Sequence, residues 1–166
     1  MYTIISATNR IGSHTEKVAK QYQKLLKGKN IDSKLFSLKN LNVLEKNSDF
    51  FEAENEFLIP AQKFIFIMPE YNGTFPGVLK AMIDISDIKK SWWYKKALLV
   101  GVSTGRAGNL RGMDQITSVL NYMKMIVHHD KLPISVIDKV MDDDGTITNK
   151  NTLQAINQQL NEFINF

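Results

Sequence analysis

Short apolar runs alternate along the chain with stretches whose apolar positions recur every three or four residues. Residues 2–6, YTIIS, are short and β-branched and predict a strand. Residues 14–27 place Val18, Ala19, Tyr22, Leu25 and Leu26 on one helical face with lysines opposite, and Gly28 follows as a C-terminal stop. Residues 32–37, DSKLFS, predict a weaker second strand, and the acidic, mixed stretch 41–57 predicts a loop with a short helix. Residues 63–68, KFIFIM, and 96–103, KALLVGVS, are apolar nearly throughout, the pattern of strands buried on both faces. Helical faces recur at 76–85 (Val78, Leu79, Met82, Ile83), at 109–123 (Leu110, Met113, Ile116, Leu120, Met123) and at 150–166 (Leu153, Ile156, Leu160, Phe163, Ile164). A last strand is expected within 125–128, MIVH.

Buried strands that each lead into a helix predict an α/β fold with a parallel sheet covered on both faces. Five such units in 166 residues match a doubly wound five-stranded parallel sheet of order 2-1-3-4-5. No repeat, low-complexity linker or boundary divides the chain, so residues 1–166 are read as a single domain. In this architecture ligands bind beyond the C-terminal strand ends, at the switch point. A ligand would therefore meet the loops after strands one, three and four.

The first loop lies in SATNRIGSHTEKVAK, residues 6–20. Ser13 with Glu16 reads as a capping box. The same helix start offers unpaired amides and a positive dipole end to a phosphate. Thr8, Ser13 and Thr15 add hydroxyls, and Arg10 adds a guanidinium fork. The loop is neither a Walker A loop nor a dinucleotide GxGxxG loop. In the second, PEYNGTFPGVLKAMID, Pro69 ends the strand, Asn72-Gly73 signals a turn, and Pro76 suits a first helical turn. The turn itself does not require the polar, planar Glu70-Tyr71-Asn72, whose backbone amides would face the edge of a flat heterocycle. In the third, VSTGRAGNLRG, Gly105, Gly108 and Gly112 let the backbone approach a ligand, ahead of a helix start at Asn109. One loop for a phosphate and two for a planar ring describe a flavin mononucleotide site.

Composition narrows the alternatives. Zero cysteines exclude a disulfide framework, a thiolate nucleophile and a cysteine metal site. No apolar run approaches a membrane span and the N-terminus does not read as a signal peptide, compatible with a cytoplasmic protein. The net charge of +4 comes mostly from lysines on helix faces or in a loop, a solvated surface. Nucleic-acid binding would need clustered arginines with stacking aromatics. The three arginines, Arg10, Arg106 and Arg111, instead sit in loop-like segments beside glycines, which suits a small anion. His128 and His129 would point to opposite strand faces and so would not bind a metal together. Asp142 to Gly145, DDDG, reads as a turn, lacking the spaced ligands of a calcium loop. SWWY, residues 91–94, serves either loop packing or an oligomer contact.

These residues resemble the NADPH-dependent FMN reductase family, flavodoxin-like enzymes that include quinone reductases and azoreductases. The resemblance covers roughly residues 2–125. PEYNGTFPGVLKAMID is similar to the family's flavin-ring loop and following helix. ATNRIGSHT is similar to its phosphate loop, usually Gly-Ser-x-Arg-x-Gly-Ser-x-Asn, and STGRAGN to its glycine-rich flavin loop. The chain departs from that pattern at Ala7, His14 and Thr15. By position, the resemblance implies that Thr8, Arg10, Ser13, His14 and Thr15 surround the FMN phosphate. Pro69, Glu70, Tyr71, Asn72 and Gly73, with Ser103, Thr104, Gly105 and Arg106, would border the isoalloxazine ring. It further implies tightly bound FMN, NADPH or NADH as a transient donor, and a small-molecule acceptor such as a quinone, azo compound, metal ion or free flavin. Turnover would be ping-pong with no catalytic protein nucleophile, in a homodimer or homotetramer. Two rivals stand beside it: a flavodoxin-like electron carrier and a non-catalytic flavin-binding module. Flavodoxins are typically acidic and lack the phosphate-loop arginine, so the basic balance and Arg10 weigh against the carrier.

Overall fold

The apolar runs at 63–68 and 96–103 form the centre of a parallel sheet. The structure, a computed structural model, describes residues 1–166. In chain order it contains β1 (Tyr2–Ser6), α1 (His14–Gly28), β2 (Ser33–Ser37), and α2 (Ser48–Ala53) running into a π-helical turn (Glu54–Leu58). Next come β3 (Lys63–Pro69), α3 (Gly77–Ile85), the one-turn α4 (Ile88–Ser91), β4 (Lys96–Val102) and α5 (Leu110–Tyr122). The chain finishes with β5 (Ile126–Val127), β6 (Leu132–Ile134), a 3-10 turn (Ile137–Lys139) and α6 (Lys150–Asn165). The strand order is β2-β1-β3-β4-β5 with every pairing parallel, as the alternation of strands and helices predicts. No helix is long and apolar enough to cross a membrane.

Alternate strand residues face opposite layers. Ile4, Ile65, Ile67, Leu98 and Val100 pack with Val18, Tyr22 and Leu26 of α1 and Ile156, Leu160 and Phe163 of α6. Ile5, Phe64, Phe66, Met68 and Leu99 pack with Leu79, Met82, Trp92, Met113, Ile116 and Leu120 on the other side. Each such side chain contributes about 1.5–3 kcal/mol when fully buried. Within SWWY, Trp92 belongs to this core: it lies 5.1 Å from Phe64, centroid to centroid, and its Nε1 donates to Ser86 Oγ at 2.6 Å. Tyr94 is exposed.

Three details depart from the sequence expectation. The expected strand at 125–128 is split. β5 pairs with the start of β4, Lys96 opposite Ile126, and β6 with its end, Val100 opposite Leu132. Pro133, which cannot donate to a ladder, sits in this edge segment, where proline is tolerated. Gln159 of α6 bridges the break: its Nε2 donates to Leu99 O at 3.3 Å and Asp130 O at 2.9 Å, and Tyr22 Oη donates to its Oε1 at 3.0 Å. Next, α1 runs through Gly28. Its stop is Asn30, at φ 59°, with Ile31 N donating to Leu26 O and Asn30 N to Lys27 O. That is a Schellman closure, and asparagine tolerates the left-handed region. Finally, Leu110 at the head of the α5 stripe is exposed, while Met113, Ile116, Leu120 and Met123 are buried.

Candidate active site

Half of the capping box forms at α1. Ser13 Oγ accepts from Glu16 N at 3.2 Å. The Glu16 carboxylate turns away to Lys20 at 3.2 Å and Lys39 at 3.5 Å, so it does not reach back to the Ser13 amide. The amides of Ile11, Gly12, Ser13, His14 and Thr15 consequently donate to no atom of the protein. Gly12 lies at φ 68°, where a side chain would be strained. His14 Nε2 is 3.0 Å from Asp138 Oδ1, and its buried Nδ1 has no partner. Consecutive free amides at the positive end of a helix dipole, beside a guanidinium, fit a phosphate.

The second loop is a tight turn. Tyr71 and Thr74 exchange backbone bonds of 3.0 and 3.2 Å across Asn72 and Gly73, at φ 53° and 79°. Two consecutive positive φ values are the type I′ signature of Asn-Gly. Pro76 is the N-cap of α3. The turn interlocks with the first loop. Tyr71 Oη and Thr8 Oγ1 share a 2.5 Å hydrogen bond, Thr8 Oγ1 also accepts from Arg10 N at 3.1 Å, and the Arg10 guanidinium lies 4.0 Å from the Tyr71 ring centroid.

The third loop is closed from within. Ser103 Oγ donates to Gly105 O at 2.8 Å and accepts from Gly108 N at 3.0 Å. The segment after β6 clamps it: Val136 N donates to Gly105 O, and Ser135 Oγ to Arg106 O. The glycines divide. A Cβ at Gly108 would strike Pro133, and one at Gly112 would strike Asn109 and the Phe75 backbone, while Gly105 faces open space. The expected close approach to a ligand thus has room at Gly105, whereas Gly108 and Gly112 approach the protein itself. Asn109, buried at φ 61°, ties the second and third loops together. Its Nδ2 donates to Met68 O and Pro69 O at 3.2 and 3.0 Å, and its N donates to Glu70 Oε2 at 3.2 Å. By position alone Asn109 predicts only a helix start. The cue for more was its type, since asparagine accepts a left-handed backbone and brings a two-donor amide.

The three loops meet in one cleft of about 230 Å³. Arg10, Ser13, His14 and Thr15 from the first loop, Pro69, Glu70 and Tyr71 from the second, and Ser103 and Thr104 from the third line it together. Ile11, Val102 and Ile137 complete the lining and were not foreseen. Ile137 gave no signal because it follows the unforeseen β6. Thr8 is buried and touches the cleft through Tyr71. Asn72, Gly73, Gly105 and Arg106 lie outside the lining.

Elsewhere, DDDG is a turn closed by Asp142 Oδ1 on Thr146 N at 2.7 Å. The two histidines correct an expectation. The strand ends at Val127, so alternation does not apply, and the rings lie 4.4 Å apart, centroid to centroid. With Glu162 they bring three donor atoms within 4.8 Å of one another. His128 Nδ1 accepts from Asp130 N at 3.2 Å, which uses that nitrogen's lone pair. Burial, with help from His129, lowers the His128 pKa.

The fold that carries this cleft is flavodoxin-like, and solved structures share it over nearly the whole chain. FerB, a flavoenzyme NAD(P)H:(acceptor) oxidoreductase from Paracoccus denitrificans, superposes with a TM-score of 0.85 at 20% identity, covering 99% of this chain and 94% of that one. An NADH:FMN oxidoreductase, EMOB, superposes at 0.74 with 18% identity, covering 98% and 89%. An FMN-dependent NADH-azoreductase from Bacillus anthracis, in complex with FMN, gives 0.60 at 14% identity, covering 98% and 99%. Residues 2–137 match the family described as NADPH-dependent FMN reductase, and the chain belongs to that family of oxidoreductases. A curated relative, the 2-hydroxy-1,4-benzoquinone reductase of a Burkholderia species, is 23% identical over 124 residues, 70% of this chain and 68% of that protein.

Proposed function

We propose that residues 1–166 form one FMN-binding domain that oxidises NAD(P)H and reduces a quinone-type acceptor in two separate half-reactions. The observation that carries the reading is the run of free amides from Ile11 to Thr15, opening onto the cleft that the PEYNG and STGR loops also line. A larger groove of about 630 Å³ between α3 and α5 gathers no comparable set of donors.

Bound FMN would supply the redox chemistry: a hydride received from the nicotinamide, then two electrons and protons passed to the acceptor, which leaves as a hydroquinone. The chain's own task is placement. The amides of Ile11–Thr15 and the Arg10 guanidinium would hold the phosphate. Pro69, Glu70 and Tyr71, with Ser103 and Thr104, line the cleft and would border the ring, and Asn72, Gly73, Gly105 and Arg106, outside that lining, would complete the two loops around it. The Thr104, Gly105 and Arg106 amides have no partner in the protein, so they are free to receive negative charge at the ring edge. Glu70, tied to Asn109 N, keeps the second and third loops in register. The quinone class is supported by the Burkholderia relative's activity. A homodimer in the cytoplasm is part of the proposal. The dimer part is supported by the apolar groove of Ile83, Ile88, Val119, Tyr122 and Met123, where Tyr122 is 84% exposed.

The test is an anaerobic absorbance spectrum of the FMN-reconstituted protein before and after NADPH or NADH. Bleaching of the flavin's visible band, and its return on adding a quinone, is the expected result. A bound flavin that both nucleotides leave oxidised would make the protein a carrier. No flavin binding would remove the site assignment.

A further inference from the structure

We infer that Tyr71 is the residue by which this site distinguishes a phosphorylated flavin from an unphosphorylated one, an inference that rests on the flavin reading above. Tyr71 stands in the loop assigned to the ring, yet both of its side-chain contacts described above belong to the loop assigned to the phosphate. Its hydroxyl meets Thr8 Oγ1 at 2.5 Å, and its ring face carries the Arg10 guanidinium at 4.0 Å. Thr8 is 1% exposed and also receives the Arg10 amide, so it is fixed against the end of β1. Arg10 forms no ion pair within the protein, and its charge rests on the aromatic ring.

A phosphate dianion received by the Ile11–Thr15 amides gives Arg10 its first charged partner, and guanidinium–phosphate bonds are stronger than neutral ones. Whatever orders Arg10 and Thr8 also orders Tyr71. Tyr71 is held in turn by the type I′ turn, whose neighbour Glu70 binds Val102 O through its amide and the Asn109 amide through its carboxylate. The phosphate therefore organises the ring subsite without touching it. Riboflavin has the same ring and no phosphate, and must meet that ordering cost alone. By linkage, the coupling appears equally as a raised preference for FMN. A Tyr71 that merely walls the ring would affect both flavins alike.

Quenching of flavin fluorescence measures the dissociation constants of FMN and of riboflavin on the full chain freed of flavin. The proteins compared are wild type, Tyr71→Phe, Thr8→Val and the double variant. Tyr71→Phe keeps the ring and the stack and deletes only the hydroxyl. It should lower the FMN-over-riboflavin preference about tenfold, the scale of one hydrogen bond, while riboflavin affinity changes less than about twofold. Thr8→Val removes the same bond and also the acceptor of the Arg10 amide, so it should lower the preference at least as far, and the double variant should lose no more than Thr8→Val alone. The inference is overturned if Tyr71→Phe weakens both flavins by one factor, if it leaves the preference unchanged, or if the two effects multiply. A wild type that binds neither flavin overturns the flavin reading and this inference with it. FMN binding with an unaltered preference in the variants overturns the inference alone.

Discussion

Two interruptions of regular backbone bonding are resolved in opposite ways. Between β5 and β6 the edge strand breaks, and the protein fills the gap from its own core. Gln159, fully buried, donates to Leu99 O and Asp130 O and accepts from Tyr22 Oη. His128 N still donates to Ala97 O at 2.8 Å. Between Thr8 and α1 the amides of Ile11 to Thr15 are left without protein partners, although Glu16 stands where a capping box would have taken one of them. A buried donor without a partner costs about 1–3 kcal/mol. A fold can keep such a run only where solvent or a ligand reaches it. The contrast separates a structural irregularity from a binding site: the first is satisfied internally, the second is held ready.

The largest expected effect breaks the internally satisfied side. Gln159→Leu keeps a side chain of similar bulk on α6, strands Leu99 O and Tyr22 Oη in the core, and deprives the half-buried Asp130 O of its donor. Stability measured by urea unfolding should fall by about 2–4 kcal/mol. The FMN dissociation constant of the folded fraction should stay within about twofold, because Gln159 is not among the residues lining the cleft. A large loss of FMN affinity at unchanged stability would erase the distinction between the two regions.

A smaller effect sharpens the comparison inside one loop. Gly108 lies at φ 56°, and a Cβ there meets Pro133 of β6, so Gly108→Ala should cost about 1–3 kcal/mol through strain and overpacking. Gly105, only a few residues away, faces open space, and Gly105→Ala should change stability by less than about 0.5 kcal/mol. Thermal unfolding of the two variants side by side decides it. Equal losses would mean that the loop is uniformly packed and has no ligand-facing segment.

The order of the sheet was legible because KFIFIM and KALLVGVS are apolar on both faces, and only a doubly covered parallel sheet buries both. The three loops were legible because turn chemistry is local: Asn72-Gly73 specifies its φ values, and Ser13 caps its helix wherever the rest of the chain goes. What was missed depends on distant partners. Gln159 interrupts no stripe, and its role exists only because the strand opposite is broken. Asn109 reads as a helix start until Met68 and Pro69 carbonyls arrive from another strand. Buried Glu54 is equally silent in sequence. It is held by Lys46 at 3.0 Å, the Asp87 amide and Ser91 Oγ, from segments up to 37 residues away. The histidine pair misled because strand alternation was extended past the strand's end at Val127.

The smallest expected effect concerns a third gap filled from within. The π-helical turn before β3 ends in the carbonyls of Leu58, which accepts from Ala61 N at 3.3 Å, and Ile59, and the ammonium of Lys95, a residue only 6% exposed, donates to both at 2.9 and 2.8 Å. Burial lowers the Lys95 pKa from 10.5 to about 8. Below about pH 8 the amine is charged in folded and unfolded chains alike, and the fold bears the full cost of burying it. Between about 8 and 10.5 the folded protein releases the proton while the unfolded chain keeps it, so the unfolded state binds more protons and stability rises with pH. Lys95→Met removes the titration and keeps an unbranched side chain in place. The stability of wild type relative to Lys95→Met should therefore climb across that window, read from urea midpoints at several pH values. A difference that stays flat would mean that the two carbonyls offset the cost of burying the charge, leaving the lysine protonated in the fold. A helix end would then be filled as completely by a cation as the broken strand is by an amide.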